Sequence, residues 1–430
     1  MVYTFYIIVF LILITFFANS LKGQGISFFF RNTICLGSIF FFLIHILMPI
    51  LQKEVDFFRY PVIYTDFDFI LSLFVSFFIF VSFFSIFNIT MPSFSQIKVQ
   101  ENFVFKYFIF SFFIFLIGSF FTISNLLDIF SMGLDVYLSD RISFGYGEAY
   151  KMLLSDWVYV SAILFFIGIY ISPSTKWGGI FKFAFLISFI YTVFYYSITG
   201  NRNSIFVILV VLSSLYFILK KKNISFLFKV FIGFCVSIVF YLLHYVGQQR
   251  SSGFQGGEKE STSFKDFVES FNGAFGNHEN ILWLVSNTYD YQYGVTYLAA
   301  FTNFIPRFVW LDKPLGAGPR LKNFIYPGSY IPGQEGNSSL TTGLVTEALI
   351  NFNFIFSIVF VIIFAFILKL IVKKLIKSNN LLLALSGVIL AICISTLMLY
   401  SEFLGFLSRI IFMILPILIA AIFFKIRILR

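Results

Sequence analysis

Apolar runs about twenty residues long, broken by short polar segments, dominate the chain from Tyr3 to Phe424. A bilayer core takes roughly 20 apolar residues per helix. Eleven runs fit that template: 3–20, 33–51, 69–90, 103–124, 157–172, 179–198, 204–219, 226–246, 353–369, 380–400 and 404–424. The pattern predicts an all-α polytopic membrane protein of about eleven transmembrane helices. The first run has no basic stretch before it and is followed by Lys22, so it reads as an uncleaved span. Three regions result: 1–246 with spans one to eight, an external loop over 247–352, and 353–430 with the last three spans.

Eleven spans place the chain ends on opposite sides, and cytoplasmic loops carry the excess of Lys and Arg. With the C-terminus inside, 17 basic residues and one acid face the cytoplasm, while 13 basic residues and 19 acids face outward. The split is +16 against −6. The net charge of +10 is therefore a topology signal, not a nucleic-acid footprint. Cytoplasmic loops are short and basic, which leaves the outer face for chemistry. That face holds the 106-residue loop, the segment 125–156 and the turn Gly200-Asn201-Arg202-Asn203.

Composition sharpens the class. Of 430 residues, 59% are hydrophobic and only 12% charged, whereas a soluble domain is nearer a quarter charged. Mean hydropathy is +0.92. A soluble globular protein, a disordered chain and a disulfide scaffold are excluded. The 67 Phe residues read as lipid-facing filler. Cys35, Cys235 and Cys393 lie inside apolar runs, and neither they nor the three His residues have metal-ligand spacing.

Inside the loop, residues 247–262 are Gly-, Ser-, Gln- and Glu-rich and read as flexible. Ser263 and Asp266 have capping-box spacing. Phe264, Phe267, Val268 and Phe271 then mark one apolar face of a short surface helix. Residues 281–285 and 295–309 are apolar but too short to span, which suits interfacial or re-entrant helices. From Pro306 to Gly343 the composition predicts loop, returning to the membrane through a helix that carries Glu347.

Arg202 stands beside a predicted helix start in Thr-Gly-Asn-Arg-Asn-Ser, an arrangement suited to a phosphate. The plainer reading is an Arg snorkelling to headgroups. Ile305-Pro306-Arg307-Phe308-Val309-Trp310-Leu311-Asp312-Lys313-Pro314 clusters Arg307 and Lys313 with aromatics, and Arg320 follows. A diphosphate would explain cations concentrated there; interfacial anchoring is the alternative. His278, in Gly-Asn-His-Glu-Asn, is either a surface polar residue or a general base. Glu347, near a membrane-helix start, and Arg409, in the last span, are ionisable groups at costly depth, as is Glu402 more weakly; a Glu–Arg ion pair is the plain account. Arg141, Glu148 and Lys151 mark a candidate second cavity wall. Asp66-Phe67-Asp68 has D-x-D spacing that reads as a chance match. No internal repeat is visible, which counts against many secondary transporters.

The span count, the late external loop, Thr-Gly-Asn-Arg-Asn, Ile-Pro-Arg-x-x-Trp-x-x-Lys-Pro and Asn-Ser-Ser-Leu…Thr-Glu-Ala-Leu-Ile-Asn-Phe together resemble bacterial O-antigen polymerases, the Wzy or oligosaccharide repeat-unit polymerase family. By topology the resemblance covers the whole chain, and by motif roughly 199–204 and 305–353. It implies an enzyme at the periplasmic face of the bacterial inner membrane, with the N-terminus periplasmic and the C-terminus cytoplasmic. The enzyme would move a glycan from undecaprenyl diphosphate onto the non-reducing end of a repeat unit on the same carrier, without metal or other cofactor. It implies diphosphate contacts from Arg202, Arg307 and Arg320, a base at Glu347 or His278, and weaker cavity roles for Arg141, Lys313 and Arg409. Partners would be the lipid-linked oligosaccharide, membrane lipids and a chain-length regulator, not nucleic acid. The rivals are an O-antigen ligase, which shares donor and layout, and a repeat-unit flippase.

Overall fold

The structure, a computed structural model, describes residues 2–21, 25–94, 97–98, 101–139, 149–172, 175–219, 264–305, 309–332, 334, 339–424 and 426–428. In chain order its helices are α1 (Val2–Leu21), α2 (Gly25–Phe29), α3 (Thr33–Phe41), a π-helical stretch (Phe42–Leu47), α4 (Met48–Glu54), α5 (Asp66–Ile86) and α6 (Glu101–Met132). Next come α7 (Leu134–Ser139), α8 (Ala149–Ser155), α9 (Trp157–Ile171), α10 (Thr175–Ile198) and α11 (Arg202–Leu219). The later part holds α12 (Phe264–Phe275), α13 (His278–Ser286), α14 (Val295–Thr302), α15 (Ala317–Ile325) and α16 (Leu344–Asn351). The chain closes with α17 (Phe354–Ile376), α18 (Leu381–Ser395), α19 (Leu397–Tyr400) and α20 (Phe403–Phe423). A two-residue antiparallel pairing of Ile97–Lys98 with Arg427–Ile428 is the extent of strand structure among the described residues.

The chain is an all-α polytopic membrane protein. Among the described residues eight helical segments are long and apolar enough to cross a membrane: Thr33–Glu54, Asp66–Ile86, Phe103–Met132, Tyr150–Ile171, Lys176–Ile198, Phe354–Ile376, Leu381–Tyr400 and Phe403–Phe423. The runs at 3–20 and 204–219 are helical too, as α1 and α11. The run at 226–246 lies outside the described residues. Two compact units are distinguishable: Met1–Thr90 with Glu260–Ile371 and Ala391–Ser408, and Met91–Lys259 with Val372–Leu390 and Arg409–Arg430.

In the first unit, local chemistry fixes the helix ends. Asn32 caps α3, its side chain accepting from the N–H groups of Ile34 at 2.9 Å and Cys35 at 3.3 Å. Pro49 has no N–H to return to the carbonyl of His45, and the helix there is wound as π-turns. Thr65 and Asp68 form a capping box that starts α5, while Asp66 pairs with Lys53. Those contacts account for the D-x-D spacing. On α17 the side chains of Ile355, Phe356, Val359, Ile363, Phe366, Ile367 and Leu370 are exposed, a lipid-facing surface, and Lys373 and Lys374 occupy its last turn.

The segment 306–343 is not all loop. Ala317–Ile325 forms α15, which the run Gly-Ala-Gly-Pro does not announce. Pro319 sits in the first turn, where its missing N–H costs nothing, and the helix buries Ala317, Gly318, Pro319 and Leu321. The short apolar stretches are helices: α13 covers 281–285 and is largely buried, while α14 ends at Thr302 rather than 309 and buries one face, with Leu298 and Phe301 exposed. Helix α12 has the expected amphipathic form, with Phe264 and Phe267 exposed and Val268, Asn272 and Phe275 buried. Ser263, its candidate cap, lies outside the described residues.

In the second unit, α6 packs against α9 at Gly118, where a Cβ would come within 2.5 Å of the Val158 nitrogen. Trp157 fastens the start of α9 by donating its indole N–H to the Phe412 carbonyl at 3.1 Å. Lys151 of α8 pairs with Asp128 of α6 at 2.6 Å, so one of the three candidate cavity-wall residues ties two helices together. Arg141 and Glu148 lie outside the described residues.

Candidate functional site

The candidate residues divide between the units. Glu347, His278, Arg320 and Lys313 belong to the first, and Arg202 and Arg409 to the second. Arg307 lies outside the described residues. Arg202 begins α11, as the turn chemistry predicts, with Gly200 at φ +63° supplying the left-handed step; nothing of its side chain is described. Arg409 lies close enough to Asp156 to act on it electrostatically, a partner the plain Glu–Arg reading had not named. Lys313 donates to the carbonyls of Asn303 at 3.1 Å and Ile305 at 3.0 Å.

Glu347 is buried in α16. Gly343, at φ +90° and packed so tightly that a Cβ would sit 2.3 Å from the Leu399 carbonyl oxygen, turns the chain into this helix. The Glu347 carboxyl accepts from the Thr296 hydroxyl at 2.8 Å and the Phe403 N–H at 2.6 Å. Asn351, one turn on, donates to the Thr296 hydroxyl and to the Glu347 carbonyl, both at 2.7 Å. Glu402 accepts from the Gly318 N–H at 2.8 Å, at the start of α15. Burial first, and then the charge of Glu402, pushes Glu347 up to about 8, while burial raises Glu402 in the same direction. Glu347 thus holds its proton at neutral pH more often than not.

In the same unit lie buried polar atoms with no hydrogen-bond partner among the described residues: Arg320 Nε on α15, the Tyr297 hydroxyl on α14, and the Thr342 and Thr346 hydroxyls at and in α16. Each such group costs about 1–3 kcal/mol if left dry. All four are hydrogen-bond donors, and one is cationic. Their common requirement is an acceptor, which an anionic oxygen supplies.

His278 is fully buried at the start of α13, not on a loop surface. Its Nδ1 meets His45 Nδ1 at 3.0 Å, and its Nε2 lies 3.0 Å from the Ser72 hydroxyl and 3.5 Å from that of Tyr6. Burial, then the adjoining His45, keeps the ring neutral. The next residue, Glu279, is equally buried and carries a larger network. It accepts from Arg59 Nε at 3.1 Å, Gln52 Nε2 at 3.2 Å, and the N–H groups of Arg59 at 2.6 Å and Tyr60 at 2.9 Å. Asn277 and Asn280 extend it to the carbonyls of Tyr400 at 2.6 Å and Thr341 at 2.7 Å. Arg59, Gln52, Tyr60 and His45 escape sequence reasoning, because their partners lie more than 200 residues away along the chain. The one visible signal is Asn-His-Glu-Asn set directly before Ile-Leu-Trp-Leu-Val. Four polar side chains leading into an apolar helix need buried partners.

In comparisons with known proteins, no family model, no curated protein and no solved structure matches the chain.

Proposed function

We propose that the chain is a polysaccharide polymerase of the bacterial inner membrane, working at the periplasmic face. A hydroxyl at the non-reducing end of one lipid-linked repeat unit attacks the anomeric carbon of a glycan held on undecaprenyl diphosphate. The new glycosidic bond forms as the bond to the diphosphate breaks. The diphosphate leaves with the electron pair, and the hydroxyl proton passes to a base. The leaving group is already an anion, so charge stabilisation by positioned donors is the main requirement.

The observation that carries this reading is the buried donors of Arg320, Tyr297, Thr342 and Thr346 that have no partner among the described residues, in the same unit as Glu347. In the proposal Arg320 contacts the diphosphate, with Arg307 and Arg202 as further cations. Glu347 is the favoured base: its ionised form, the minority at neutral pH, takes the hydroxyl proton, and a carboxyl raised to about 8 binds that proton firmly. Both ring nitrogens of His278 are engaged, so its role is to position α13.

The test is a gel ladder of surface polysaccharide from a strain lacking the chain. A polymerase predicts core capped with a single repeat unit and restoration of long chains on complementation. Uncapped core with polymer left on its carrier would instead identify a ligase, and an unchanged ladder would remove both readings.

A further inference from the structure

The second unit contains a cavity of ≈ 70 Å³ bordered by the C-terminal part of α6, by α7, by the end of α8 with Asp156, by the end of α10 and by the turn into α11. Water occupancy needs about 10–15 Å³ on this measure, so the space exceeds that of one ordered water. It lies beside Asn201, the residue before Arg202. Its walls include Asn125, Tyr137, Asp156, Tyr195 and Tyr196, all buried.

Most of its polar atoms are committed. Asn125 Nδ2 donates to the Tyr195 hydroxyl at 2.9 Å, which donates onward to Ser155 at 3.3 Å. The Tyr196 hydroxyl donates to Asp156, and that of Tyr137 to the Thr199 carbonyl at 3.4 Å. Asn125 Oδ1 is left buried with no partner, although Asn125 is only 2% exposed. A buried orphan acceptor beside a carboxylate calls for a ligand that donates hydrogen bonds. A cation would donate too, but the positive charge of Arg409 already acts on Asp156. The ligand this leaves is neutral, with neighbouring hydroxyls, and three tyrosine rings offer it apolar faces.

We propose that this cavity receives the hydroxylated edge of a single sugar ring, through Asn125 Oδ1 and the Asp156 carboxylate. The identification of the sugar as part of a growing glycan rests on the polymerase reading; the binding site does not.

The test is saturation-transfer NMR on the purified full-length protein in detergent. Methyl glycosides of glucose, galactose and N-acetylglucosamine are the probes, and tetramethylammonium is the cationic control. At least one glycoside should bind, and its affinity should fall about ten-fold or more in Asn125→Leu and in Asp156→Asn, the scale of one lost buried hydrogen bond to a charged or orphaned group. A second measurement needs neither variant. In a chain carrying Asn201→Cys and Cys235→Ser, thiol labelling at the cavity mouth should be slowed by the same glycoside. Cys35 and Cys393 are buried and should stay silent. No glycoside binding, binding unchanged in folded variants, labelling that no glycoside slows, or preferential binding of tetramethylammonium each overturns the proposal. If glycoside binding behaves as expected while the deletion strain keeps a normal ladder, the polymerase reading fails and the sugar site stands. If polymer is made but the cavity ignores glycosides, the reverse holds.

Discussion

Arg320, Glu347 and Glu279 show three ways an ionisable group with buried polar atoms is accommodated, and each makes a different prediction. Arg320 leaves Nε without a partner, which costs stability unless a ligand uses it. Arg320→Ala should therefore abolish long polysaccharide chains while the amount of protein in the membrane stays normal; wild-type chain length would remove Arg320 from the site. Glu347 is held near its proton. Below its ordinary value of 4.5 the group is protonated folded or unfolded, and its contribution to stability is complete. As pH rises from there to about 8 the unfolded chain gives up the proton first, so stability falls, and above about 8 the loss is complete. Apparent melting temperatures in detergent at pH 5, 6.5 and 8 should decline in the wild type and level out in Glu347→Gln. An equal slope in both would show that another group sets it. Glu279 has four donors on its carboxyl, one of them the Arg59 guanidinium. Removing the guanidinium in Arg59→Ala uncovers a buried carboxylate, a loss on the order of 3 kcal/mol, and Glu279→Gln in that background should restore part of it. Thermal unfolding of the single and double variants measures the difference.

At the scale of elements, the helices that face lipid were easy to read and those that fold back inside were not. A run such as Phe354–Ile376 is strongly apolar over most of its length and is recognised from length and hydropathy alone. Helix α15 is different: Gly318 and Pro319 read as loop, yet they form its first turn, with Glu402, some eighty positions later, accepting the Gly318 N–H. Helix α13 is hidden in the same way, because its polar first turn is satisfied by residues from α4 and the 55–65 connection. Asp66 and Asp68 are the opposite case. Their spacing invites a metal reading, yet a capping box and a lysine use both. Gly343 joins element to site. Ala there meets both the φ of +90° and the Leu399 carbonyl, so Gly343→Ala should destabilise by about 2 kcal/mol or more. Gly178→Ala in α10, with open space around it, should leave the melting temperature within error. Equal effects from the two substitutions would contradict the close packing of α16 on α19.

At the scale of the whole molecule, the sequence pattern carried the class and left the chemistry dispersed. Hydropathy alone specified a helical membrane protein, because lipid imposes one simple rule on every span. The site is a matter of pairings between distant segments: Glu347 with Thr296 and Phe403, His278 with His45 and Ser72. No local period encodes those. Orientation is a property of the same scale, and the charge split of +16 against −6 makes it testable. Single cysteines at Lys221 and at Asp290, in a chain otherwise free of reactive thiols, should be labelled from opposite sides of the membrane, with Asp290 accessible from the periplasm. The reverse pattern would put the proposed site on the wrong face for its substrate.

The central claim is that this chain joins sugars carried on a lipid diphosphate. Incubating the purified protein in lipid nanodiscs with undecaprenyl-diphosphate-linked repeat units, with no nucleotide sugar or added metal, tests it most directly. The account predicts products of two or more repeat units, release of one undecaprenyl diphosphate for each bond formed, and loss of both in Arg320→Ala. Repeat units recovered unjoined, from protein whose folding is verified, would contradict it.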